Sequence, residues 1–137
     1  MKNILLKSAQ IFVLMSFINF LLSVLILYMI RLPGGNFGMH PFLILIECSF
    51  VSVVAFITVV IFKKNYHSIL KMAFLFEIIY LICLVLSGFN PYGTNDEHMF
   101  SLLTYLNSLI TFCFVYLFNF LHSKLIFKKI KKTNIDQ

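Results

Sequence analysis

Between Ser8 and Ile30 the chain runs for 23 residues without one charged side chain, and three more stretches of this kind follow. Phe42 to Phe62 holds 21 residues with the single charge of Glu47. Met72 to Gly88 holds 17 with the single charge of Glu77, and Phe100 to Leu121 holds 22 with none. A helix needs roughly 20 apolar residues to cross the hydrocarbon of a bilayer, with a tolerated range of about 17–25. All four runs fit. They lack the period-two alternation of a barrel strand, and backbone groups cannot go unpaired in lipid, so helices are the form they can take. The third run is the shortest and is expected to recruit Ile69, Leu70 and Phe89, with Lys71 reaching for the headgroups.

Composition agrees. Of 137 residues, 61% are hydrophobic and 12% charged. A water-soluble domain of that size has too much surface for its volume to hide so much apolar side chain. The expected fold is therefore all-α: a polytopic membrane protein forming one four-helix transmembrane bundle. Its helices are expected near 8–30, 42–62, 69–89 and 100–121, with a basic tail over 122–137. The first run follows Lys2 and Lys7, as a signal peptide would. It is longer than a signal core, lacks a small-x-small cleavage site and ends at Arg31, Pro33, Gly34 and Gly35, so it reads as a retained helix.

The net charge of +6 would suggest nucleic acid in a soluble protein, but the positions of the charges give another meaning. The ten lysines lie before the first run, in the second connection (Lys63, Lys64, Lys71) and in the tail, while the other side has only Arg31. By the positive-inside rule both termini are cytoplasmic, and four crossings return the chain to its starting side as that requires. Phe, Ile, Leu, Lys and Asn are abundant, which suggests an AT-rich bacterial genome and hence the inner membrane. The lysine-rich tail reads as a topology signal and headgroup contact rather than as a nucleic-acid site.

The polar residues of the runs fall on stripes, since positions three and four apart share a helix face. Ser16, Asn19 and Ser23 lie on one face of the first helix. Cys48, Ser52 and Ala55 line one of the second, and Ala73, Glu77, Tyr80 and Ser87 one of the third. Ser101, Thr104, Asn107, Ser108, Thr111, Asn119 and His122 share a face of the fourth. Such stripes turn inward or into an oligomer interface, where hydroxyls and amides bond across helices. Depth reckoned along straight helices gives two polar layers. An inner one surrounds Glu77 with Ser16, Thr58 and Asn119; an outer one surrounds Glu47 with Ser23, Asn107, Ser108 and Cys83.

An ionisable residue inside a bilayer is a candidate functional residue, because placing it there costs several kcal/mol. Glu77 ranks first, since no Lys or Arg lies within any run to pair with it. A protonated carboxyl bonded to Ser16, Tyr80 or Asn119 is the structural reading; a proton- or cation-coupled site is the functional one. Glu47 lies near the outer surface, where Arg31 could form an ion pair with it. The candidate residues are thus Glu77, Glu47, Asn19, Ser16, Asn107, Asn119 and Tyr80.

The remaining groups offer little chemistry. Cys48, Cys83 and Cys113 are odd in number, lie within apolar runs and form no Cys-x-x-Cys pair, so a disulfide framework or thiol-redox site is not expected. His40, His98, Asp96 and Glu97 belong to short outer connections that seldom converge on a metal. No catalytic grouping, phosphate-binding loop or cofactor motif is found. The sequence thus points to a non-enzymatic accessory subunit or self-associating bundle whose partners are the bilayer and other copies or a larger membrane complex. The alternative is a small oligomeric transporter or channel using Glu77 and Glu47. A lipid-directed enzyme ranks third.

Overall fold

The computed structural model describes residues 2–30, 36–92 and 96–133. It is all-helical: α1 (Lys2–Ile30), a short 3-10 turn (Asn36–Met39), α2 (His40–Ile61), α3 (Ile69–Leu86) and α4 (Asp96–Thr133). Each of the four helices holds a segment long and apolar enough to cross a membrane: Ile4–Met29, His40–Ile61, Ile69–Leu86 and His98–Leu121.

Helix ends follow local chemistry. Pro41 sits in the first turn of α2, where its missing N–H is no loss. The sequence carried α3 on to residue 89, but the helix stops at Leu86. Gly88 takes a φ of 82°, its N–H reaches the Val85 carbonyl at 3.2 Å, and the Phe89 N–H reaches that of Leu84 at 3.1 Å. These two bonds form a Schellman cap, and its left-handed position suits glycine because a side chain there is strained. At the opposite end of the fold, α4 does not stop with its apolar run. It continues through the basic segment to Thr133, twelve residues past Leu121, or about 18 Å at 1.5 Å per residue.

The helices pack in cyclic order, α1 against α2, α2 against α3, α3 against α4 and α4 against α1. Across one diagonal α1 meets α3 closely; across the other, α2 meets α4 where the His40 and Phe100 rings lie with centroids 4.6 Å apart. The α1–α3 contact is aromatic: the Phe12 and Phe76 rings stack with centroids 6.0 Å apart, and Tyr80 continues the row 6.0 Å from Phe76. All three side chains are fully buried. The α1–α2 contact is made of small residues. Cys48 and Ala55 are buried without any exposed surface, which lets the two backbones approach. At the α3–α4 connection the Tyr105 hydroxyl donates to the Phe89 carbonyl at 2.9 Å, and the His98 ring bonds the Asn90 carbonyl at 2.8 Å. The outward faces carry Val13, Phe17, Phe50, Ile57, Val85, Phe114 and other large apolar side chains, as hydrocarbon solvent allows.

A candidate functional site in the polar belt

The stripes read from the sequence turn inward. Ser16, Asn19 and Ser23 of α1, Glu77 and Tyr80 of α3, and Ser101, Thr104, Asn107, Ser108 and Thr111 of α4 are all buried. Most of the hydroxyls also bond a carbonyl one turn back in their own helix, such as Ser16 to Phe12 at 2.8 Å and Ser52 to Cys48 at 2.8 Å. That habit satisfies a hydroxyl in lipid without any tertiary partner.

Several contacts among the described residues join helices. The Ser16 and Ser52 hydroxyls lie 2.9 Å apart and tie α1 to α2. The Asn19 amide donates to the Met15 carbonyl at 3.1 Å, while its oxygen accepts from Thr111 at 3.2 Å, tying α1 to α4. The Ser108 hydroxyl donates to Oε1 of Glu77, tying α4 to α3. Ser16, Tyr80 and Asn119 were the donors the sequence offered for this carboxyl; the structure supplies Ser108 instead.

These contacts occupy one level. Glu77 is the ninth of the 18 residues of α3, and Ser108 the eleventh of the 24 in its span. Ser16 and Ser52 are each thirteenth, in spans of 26 and 22, and Thr111 is fourteenth. Members of both layers reckoned from the sequence, Glu77 and Ser16 of the inner and Asn107 and Ser108 of the outer, thus share one belt near mid-helix, while Thr58, nineteenth of 22, and Ser23, twentieth of 26, lie away from it. That reckoning started each helix at the edge of its charge-free run. The observed α1 begins earlier, α3 ends earlier and α4 begins earlier, which moves Glu77 and Ser108 into register.

Glu47 stands outside the belt. It is half-buried on α2, as the eighth residue of the helix, and its carboxyl neighbours the Ser87 hydroxyl at the far end of α3. The Cys48 thiol of α2 and the Tyr80 hydroxyl of α3 are hydrogen-bonding neighbours. One oxygen of each glutamate, Oε2, is buried without a hydrogen-bond partner among the described residues. Arg31, the expected ion-pair partner of Glu47, lies outside the described residues, as do the side chains of Asp96, Glu97 and His122.

Asn107 belongs to the belt by position and is buried. Asn119 does not join it. It lies farther along α4 in the wall of an apolar groove with Ile11, Ile18 and Phe118. Thr111 was not singled out from the sequence as a candidate, though it shares a stripe with Asn107 and Ser108. Its spacing was a sufficient signal; its partner on α1 was not.

The belt can hold a proton or orient a carboxyl. Among the described residues no three His, Cys, Asp or Glu side chains converge to hold a metal ion. No protein-family model, curated protein or solved structure matches the chain.

Proposed function

We infer that this is a non-enzymatic membrane protein that works by association, as an accessory subunit of a larger complex or as a self-associating bundle. One observation carries this reading: the polar stripes are turned inward and bonded within one chain. What remains for the surroundings is a set of apolar helix faces and the helical extension of α4 beyond its span. Glu77, Tyr80 and Cys48 are packed away, and neither glutamate lines any of the five surface grooves described. The lysine distribution supports an orientation with both termini in the cytoplasm, and the composition supports a bacterial inner membrane.

The test is crosslinking in intact membranes followed by purification in mild detergent. Recovery of a reproducible partner, or of a defined oligomer, is the expected result. A chain that stays monomeric and alone in both native membranes and vesicles would overturn the reading.

A second reading has its own support in the unpartnered oxygen of Glu77. A carboxyl held by one serine at mid-helix, with a free oxygen, is the kind of group a proton-coupled carrier uses. On this reading the protein is a small transporter in which Glu77 takes and releases a proton. Reconstituted vesicles loaded with a pH dye report it directly. Proton flux driven by a solute gradient, abolished in Glu77→Gln, supports the carrier; no flux across a broad solute panel excludes it.

A further inference from the structure

Near the lysine-rich end of the bundle, α1 and α4 separate enough to leave a groove. Ile11, Leu14 and Ile18 form one wall, Phe114, Phe118 and Asn119 the other, and the lining is almost wholly apolar. Asn119 is the exception. Its half-buried amide takes part in none of the side-chain hydrogen bonds among the described residues, in a medium that offers no water.

The α1 wall continues into a charge. Lys7 precedes Ile11, Leu14 and Ile18 by four, seven and eleven residues, all within about 40° of one line along the helix. It is exposed. From Lys7 to Ile18 the helix rises about 16 Å, close to one leaflet's half of a hydrocarbon core about 30 Å thick. The Asn19–Thr111 bond fixes the register of α1 against α4. Moving eight residues along each antiparallel helix sets Asn119 level with Ile11, one turn deeper than Lys7.

We propose that this groove is a binding site for one anionic phospholipid of the lysine-side leaflet. Its acyl chain lies along Ile11, Leu14, Ile18, Phe114 and Phe118. The Asn119 amide donates to an ester carbonyl, and Lys7 pairs with the phosphate. The order of these groups along the groove, cation then amide then hydrocarbon, is the order of phosphate, ester and chain in the lipid. Charge complementarity selects this occupant over a second copy of the chain, whose corresponding basic end would repel Lys7. The site depends on the membrane reading alone and is independent of the accessory role.

The full-length chain, purified in mild detergent and exchanged into nanodiscs, allows a direct test. Native mass spectrometry would compare retention of phosphatidylglycerol and phosphatidylcholine bearing the same acyl chains. One phosphatidylglycerol per chain is expected to survive, with phosphatidylcholine lost. Lys7→Gln should weaken retention about fivefold, the worth of one lysine beside an anionic surface. Asn119→Leu should weaken it similarly, and Leu14→Trp, which fills the groove, should abolish it. Lys64→Gln, in the α2–α3 connection, should leave it unchanged. Equal retention of both lipids, indifference to Lys7→Gln and Asn119→Leu in a chain that keeps its helical spectrum, or a lipid-free dimer would each overturn the proposal.

Discussion

Replacing Ser108 by alanine removes the only hydrogen bond that the described structure gives to the Glu77 side chain. Serine and alanine differ by one oxygen, so packing around the fully buried residue 108 changes little. The energetic consequence lies with the glutamate. Hydrogen bonds between membrane helices contribute about 0.6 kcal/mol on average and about 1.7 at most. Stranding a buried polar group costs more than losing the mean bond, about 1–3 kcal/mol. A destabilisation of about 1–2 kcal/mol is therefore expected for Ser108→Ala. The reverse change is milder. Glu77→Met fills similar space without polar atoms, and the Ser108 hydroxyl, four residues after Thr104, can fall back on that carbonyl. Ser16, Ser52 and Thr104 already bond one turn back in this way. Glu77→Met in the Ser108→Ala background should thus recover most of the loss, so that the double variant is more stable than Ser108→Ala alone. Reversible unfolding by SDS in mixed micelles, or steric trapping in bicelles, measures all four corners of the cycle. Simple addition of the two losses, or a Ser108→Ala effect below about 0.3 kcal/mol, within the scatter of independent sites, would refute the reasoning.

Three other expectations rest on separate parts of the fold. Phe12→Ala should cost about 2–3 kcal/mol in the same unfolding assay, less than the ~3–5 typical of a water-soluble core, because lipid removes the transfer contribution and leaves only the cavity opposite Phe76. Gly88→Ala should cost about 1–2 kcal/mol from backbone strain alone, since an added Cβ would meet nothing within 4 Å; a neutral result in thermal denaturation would remove the Schellman assignment. Reporters of periplasmic exposure placed at residue 1, residue 65 and residue 137 should all score as cytoplasmic, and one placed at residue 36 as periplasmic; any other pattern contradicts the lysine-based orientation.

The four long apolar helices were legible because the bilayer imposes its thickness on any chain that crosses it. Inward faces were legible for the same reason that the runs were: a polar atom in hydrocarbon needs a partner, and spacing of three and four is enough to collect Ser101, Thr104, Asn107, Ser108 and Thr111 on one side. Pairing was not. Ser108 meets Glu77 and Thr111 meets Asn19 because of the register in which the helices pack, which hydropathy does not fix. A shift of a few residues in register carries a side chain about one helical turn, sufficient to exchange Ser16 for Ser108 as the partner of the glutamate. The isolation of Asn119 from its stripe has the same origin. It lies eight residues beyond Thr111, past the level at which α1 and α4 are in close contact, so its face still points inward but towards a gap.

The unbroken course of α4 makes the bundle a lever. Its shaft is gripped by α1 and α3 through Thr111 and Ser108, near the middle of the membrane, while its far arm stands about 18 Å clear of the last apolar turn. A lean of the shaft of about ten degrees about that grip would sweep the tip at Thr133, about 33 Å away, through about 6 Å. A helix without a joint would carry movement at the grip out to its basic end, and a load on that end would reach the place where the carboxyl is held.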